Sequence, residues 1–212
     1  MSGKSAAFFE AVVNRRTYYG LTNKSTLTND QLKTLVQTAV KHAPTSFNGQ
    51  QSRAVLVTGS HHIKLWETVL ENYLKTLGGD KAQEETWTTR INSNFKSGYG
   101  TVVFLEDEDV INGFAAKMPP LAQKLPIWSQ NSAGILQYIV WTALELEGHG
   151  ASLQHQTQMS PDIQSAVTNL LEVPPTWTVS GLMPFGIPAG PPGYGGPKVF
   201  QPVEDRTKFL FD

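Results

Sequence analysis

Several clusters in the sequence combine residue types that can do chemistry. Arg15-Arg16-Thr17 places two guanidinium groups and a hydroxyl in consecutive positions. An Arg donates through a fixed fork, which suits a phosphate or another planar anion. A basic pair at a helix C-terminus is also favoured by the helix dipole alone, so both readings stand. Thr45 to Gln51, TSFNGQQ, concentrates hydroxyls and amides. Such groups donate to and accept from the edge of a heteroaromatic ring that carries both carbonyls and N–H groups, and the same composition makes an ordinary turn. Glu106-Asp107-Glu108-Asp109 gathers carboxylates. Neighbours on an extended strand point to alternate sides, so a solvated strand end is expected there in preference to a metal site. The histidines show no HExxH or H-x₃-H spacing, which gives metal ligation no support, and His155 suits a packed polar residue as well as a base. No G-x-S-x-G elbow marks a hydrolase, and no Gly-rich phosphate loop follows a predicted strand.

The elements that must position these residues follow from periodicity. Ala6, Phe8, Phe9, Val12 and Val13 predict a helix over about 5–14, with the basic pair at its end. Thr28 and Gln31 have capping-box spacing before the helical stripe Leu32, Leu35, Val36, Ala39 and Val40, which Pro44 stops. The polar run after it leads into a strand, RAVLVTG. Ser60 is the expected cap of a third helix ending at Gly78-Gly79, and 80–96 is polar and helical. TVVFL at 101–105 reads as a strand, and Ser129 as the cap of the longest helix, ending near Gly148. ASLQ at 151–154 is a short strand or turn, Pro161 opens a helix, and WTVSGLM at 177–183 is a buried strand. Nine of the twelve residues from Gly186 to Pro197 are Gly or Pro, which predicts a loop before an extended C-terminal arm. Helices and strands alternate irregularly, so the expected class is α+β: one domain over 1–212, with 186–212 a loop and arm.

Composition bounds the function. The chain has 212 residues and a formal charge of −1, without the basic footprint of a nucleic-acid or anionic-membrane binder. Cys is absent, which excludes disulfides, thiolate metal sites and cysteine nucleophiles and fits a reducing, cytoplasmic compartment. The N-terminal apolar stretch is broken by Glu10 and reads as a helix, not a signal peptide, and no apolar run is long enough to span a membrane.

The motifs RRTYYGL, APTSFNGQQSRAVLVTG, GYGTVVFLED, GHGASLQHQ, and GLMPFGIPAG followed by PVEDRTKF occur in that order across nearly the whole chain. Together they resemble the FMN-dependent nitroreductase family, in its short branch of fungal fatty-acid-repression-type enzymes and small bacterial relatives. The resemblance implies a mixed, mainly antiparallel sheet sandwiched by helices, in an intertwined homodimer with FMN at each end of the interface. By position, Arg15, Arg16 and Thr17 match the triplet that binds the flavin ribityl-phosphate and pyrimidine edge. Thr45, Ser46, Asn48 and Gln50 match a motif that reaches the partner subunit's flavin. Leu153, Gln154 and His155 fall where backbone covers the flavin near N5, and Lys198 and Arg206 resemble basic residues that hold the phosphate. Tyr19 stands where many members carry a Lys, and Gln51-Ser52-Arg53 replaces a common Gln-Pro-Trp run.

The implied activity is a ping-pong oxidoreductase, passing hydride from NADH or NADPH through FMN to nitroaromatic or quinone-like acceptors, with no protein nucleophile and no metal. The alternative is an FMN-binding sensor or regulatory protein in lipid or oxidative-stress signalling, with little turnover.

Overall fold

A computed structural model describes residues 3–193 and 195–212; Met1, Ser2 and Tyr194 lie outside the described residues. In chain order the elements are α1 (Ala6–Asn14), β1 (Leu21–Thr22), α2 (Asn29–His42), β2 (Ser52–Thr58), α3 (Gly59–Lys75), α4 (Lys81–Arg90), β3 (Gly100–Asp107), α5 (Glu108–Lys117), α6 (Leu125–Leu146), β4 (Gly150–Ala151), α7 (Pro161–Leu170) and β5 (Trp177–Pro188). The sheet order is β1-β5-β3-β2 with β4 also on β5, and every named pair is antiparallel. Isolated parallel bridges from Thr17 to Ala151 and from Tyr18 to Gly193 make it mixed.

Helices cover both faces because β3 alternates two apolar sets. Val102 and Phe104 join Leu32, Val36 and Ala39 of α2 and Leu136, Val140 and Leu144 of α6. Val103 and Leu105 face the other way, onto Leu65, Trp66 and Val69 of α3, Val167 of α7, and Ile91 and Phe95 beyond α4. The pairing of β3 with β5 slips between Phe104 and Leu105, where Gly181 and Val179 are the partners and Ser180 is the extra residue. This bulge lets Val179 and Leu182, three positions apart, face the same core. The capping box predicted at Thr28 and Gln31 is present.

Four expectations are corrected. Ser60 does not cap the third helix, which begins at Gly59; a φ of 57° at that glycine turns the chain directly out of β2. Ser129 does not cap the longest helix, which starts at Leu125 with Pro in its first turn, and its hydroxyl instead donates to Glu106. The acidic run is not a solvated strand end. Glu106 is 5% exposed, Asp107 caps α5 by accepting the Asp109 N–H, and Glu108 and Asp109 occupy that helix's first turn, where its dipole favours them. The Gly/Pro-rich stretch does not break the sheet at once, since β5 continues through Pro188. Gly186 permits this: a Cβ there would stand 2.2 Å from the Thr22 carbonyl oxygen, so only glycine lets β1 approach. Beyond Gly195 the arm is exposed, with Phe211 at 89%. Among the described residues no helix is long and apolar enough to cross a membrane.

Candidate functional site

α1 ends where Arg15 turns extended (φ −60°, ψ 120°), its N–H still bonded to the Ala11 carbonyl at 3.1 Å. The guanidinium lies 4.3 Å from the Trp141 ring centroid and 5.9 Å from that of Tyr138. Its Nε and Nη1 are buried without a hydrogen-bond partner. The Arg16 N–H donates to Glu145 Oε2 at 2.7 Å. Burial pushes the Glu145 carboxyl above its ordinary range, against the pull of the Arg16 amide and the charges of Arg15 and Arg16. Tyr18 donates to the Ala151 carbonyl at 2.9 Å, and Gly193 to the Thr17 carbonyl at 2.7 Å. The triplet is thus fastened to α6 on one side and β4 on the other.

The segment after β4 continues the same strip. Gln154, 8% exposed, exchanges two backbone bonds with Leu182 of β5, at 2.8 and 2.9 Å. Leu153 is half-buried and His155 exposed, with enough enclosure to lower the imidazole pKa. Thr17 and Tyr18 therefore meet β4 at Ala151, and the 153–155 segment follows that strand directly in the chain.

Four residues missed in the sequence join them. Tyr138 Oη, Trp141 Nε1 and Thr142 Oγ1 are buried without partners, as is Ser152 Oγ beside Leu153. Positions 138, 141 and 142 share one helix face. Leaving a buried polar group unpaired costs about 1–3 kcal/mol, so this surface is poised for a ligand rich in acceptors. The signal was present in the sequence as polar and aromatic interruptions of the apolar α6 stripe, Thr142 and Glu145 among them.

The remaining expected residues lie elsewhere in the chain. Thr45 to Gln50 forms a short 3₁₀ turn with positive φ at Phe47, Asn48 and Gln50 (57°, 51° and 54°). The Thr45 hydroxyl accepts the Gln50 N–H at 2.9 Å, and the Phe47 ring sits 6.0 Å from those of Phe114 and Trp128. Trp128 and Trp141 stand at opposite ends of α6, about 20 Å apart at a helical rise of ~1.5 Å per residue. One chain therefore does not join this turn to Arg15. Lys198 lies 5.3 Å from the Phe200 ring centroid, and Arg206 donates to the Gln201 carbonyl at 3.4 Å. Both are engaged within the exposed arm. Tyr19 packs on the α3 side of the sheet, its ring 5.8 Å from the Arg90 guanidinium.

The model of the nitroreductase family matches residues 12–187. The chain is 34% identical to the nitroreductase FRM2 of Saccharomyces cerevisiae over 189 residues, 87% of this chain and 90% of that one. Nitroreductase CinD from Lactococcus lactis, solved in complex with chloramphenicol, is 30% identical with a TM-score of 0.82, covering 96% of this chain and 100% of its own. A nitroreductase structure from S. cerevisiae is 30% identical with a TM-score of 0.71, covering 87% and 96%. CinD has also been solved with nicotinic acid and with 4-nitrophenol.

Proposed function

This chain belongs to the nitroreductase family, and we propose that it is an FMN-dependent NAD(P)H nitroreductase that works as a homodimer. The observation that carries the reading is the set of unpartnered buried polar atoms of Arg15 and its neighbours: guanidinium donors, an indole N–H and the hydroxyls of Tyr138, Thr142 and Ser152. A flavin mononucleotide matches it, having a phosphate, a polyhydroxyl chain and ring carbonyls to accept these donors. Arg15 and Thr17 hold the polar portion, Arg16 fixes the strip through Glu145, and Leu153 to His155 lies under the ring. When bound, FMN supplies hydride transfer from NADH or NADPH to a nitroaromatic or quinone-like acceptor, in ping-pong order.

The protein's part is position and exclusion of water, so no nucleophile or acid–base pair is required of it. The turn at Thr45 to Gln50 serves the second site. Two copies with α6 antiparallel bring the Trp128 end of one helix to the Trp141 end of the other, and so set Asn48 and Gln50 of one chain beside Arg15 of its partner. The outward positions of α6 suit such a contact: Ile127 and Ile135 are exposed, and Gly134 faces open space. Lys198 and Arg206 close on the phosphate from the arm. The flat aromatic ligands of CinD, nicotinic acid and 4-nitrophenol, support a slot of the same kind here.

Purified protein is expected to retain flavin absorbance after desalting and to oxidise NADH or NADPH with a nitroaromatic acceptor. A colourless protein that holds no added FMN would overturn the reading. Retained flavin without turnover would leave the sensor role in its place.

A further inference from the structure

A cavity of about 420 Å³ lies between the first residues of β5, the N-terminal half of α6 and the start of α5. Its polar lining includes Glu106, Glu108, Ser129, Gln137, His155 and Ser180. The bulge in β5 brings Ser180 here, where its hydroxyl accepts from Gln137 at 3.3 Å and its carbonyl from Gln158 at 3.1 Å. Glu106 is the unusual member. It is 5% exposed, its Oε2 accepts the Ser129 hydroxyl at 2.5 Å, and its Oε1 makes no close hydrogen bond, its nearest protein donor being the buried Ser52 hydroxyl opposite it on β2. Arg53 does not supply one, being paired with Asp107 at 2.8 Å, bonded to the Gln50 carbonyl and stacked on Trp177. Among the described residues no Lys or Arg lines the cavity, while Ile111 and Val179 provide apolar wall. A buried carboxyl with an idle oxygen beside a second carboxylate, with no basic side chain, is complementary to a donor-rich cation and hostile to an anion.

We propose that this cavity binds a small ligand carrying a cationic nitrogen, an ammonium or amidinium group, held by Glu106 and Glu108 with its carbon frame against Ile111 and Val179. Only His155 is shared with the flavin site, so the proposal stands apart from the nitroreductase reading. Binding should strengthen as pH rises. Burial holds the Glu106 carboxyl above its ordinary range, Glu108 from α5 adds to that, and Ser129 from α6, Ser52 and Arg53 from β2 oppose it. Across from Glu106 on β5 stands Thr178, which carries no charge. A proton and the cation therefore compete for Glu106, and protonation of His155 at low pH opposes the cation further.

Benzamidine, neutral benzamide and anionic benzoate, titrated calorimetrically into the protein as purified, test this. The expected order of affinity is benzamidine, then benzamide, then benzoate. Glu106→Gln keeps the shape and still accepts from Ser129, yet should weaken benzamidine roughly ten- to hundredfold while leaving benzamide unchanged. Thermal melting checks that variant's fold, and Glu108→Gln, at a less buried position, is a second variant expected to weaken benzamidine selectively. No benzamidine binding by wild type, equal affinity for benzamide, or unchanged affinity in the folded variants would overturn the proposal.

Discussion

At the scale of single residues, Arg15 separates two physical roles. If its unpartnered Nε and Nη1 serve FMN, Arg15→Ala removes charge-assisted bonds worth about 1.5–3 kcal/mol, a ten- to hundredfold loss of FMN affinity. If it only complements a helix C-terminus, stability falls by about 0.3–1 kcal/mol and affinity not at all. Flavin titration of the apo variant beside wild type distinguishes them, and the first outcome is expected. His62 gives a second prediction. The Lys96 carbonyl can only accept, so Nε2 carries the proton toward it at 3.2 Å; Nδ1 then accepts the Thr101 hydroxyl at 2.9 Å, whose oxygen accepts from Trp66 at 2.9 Å. This chain of bonds needs a neutral ring, and desolvation lowers the pKa from 6.5 to about 4. Between those values the unfolded chain binds the extra proton. The contribution is therefore intact above the upper value and is lost as pH falls through the window, by about 3 kcal/mol at most. Urea melts from pH 7 to 4 should show this slope in wild type and a flatter one in His62→Gln. The raised Glu106 and Glu145 carboxyls act in the opposite sense, favouring the folded state at low pH, and are common to both proteins.

Among the elements, the join between β1 and β5 is the one with least tolerance. Gly186→Ala would push a methyl carbon to within 2.2 Å of the Thr22 carbonyl oxygen and 3.1 Å of the Tyr99 nitrogen, both backbone atoms with no rotamer to yield. Strand β1 must then separate from β5, at a cost of about 3 kcal/mol or more. Chemical denaturation should show that loss. Gly134→Ala on α6 meets open space and should leave the fold of one chain intact, gaining up to ~1 kcal/mol from helix propensity. The contrast follows from position, since both residues are glycines with ordinary φ and only the neighbours differ.

For the whole molecule, the 13-position separation of Trp128 and Trp141 along α6 bears on whether a chain can complete its own site. A separation of that length holds the Thr45–Gln50 turn away from Arg15, so under the proposed reading a complete site draws on two copies. Chains carrying Arg15→Ala and chains carrying Asn48→Gly each lack one half; Gly at 48 keeps the φ of 51° while removing the amide. Refolded together at equal amounts, they should form hybrids in which one site of two is intact, recovering about a quarter of wild-type flavin sites. Each variant refolded alone recovers none of them. A hybrid mixture no better than its parents, or a wild-type monomer in light scattering that retains flavin, would count against the shared site.

How much of this was legible in the sequence depends on the range of the physics involved. Capping at Thr28, the helical stripe of α2, the apolar alternation of β3 and the order of the family motifs are local patterns, and these determined the α+β class and the family. Long-range partners were not available in that way. Ser129 reads as a helix cap until Glu106 arrives beside it, and the acidic run reads as solvated until α6 closes over its first carboxyl. Gly186 to Pro188 reads as a break until β1 supplies the strand edge that tolerates both residue types. The unpartnered polar atoms of Tyr138, Trp141, Thr142 and Ser152 emerged only when the fold buried them. A side chain's type and spacing state what it can bond to, and tertiary packing alone decides which bonds are already taken and which remain free for a ligand.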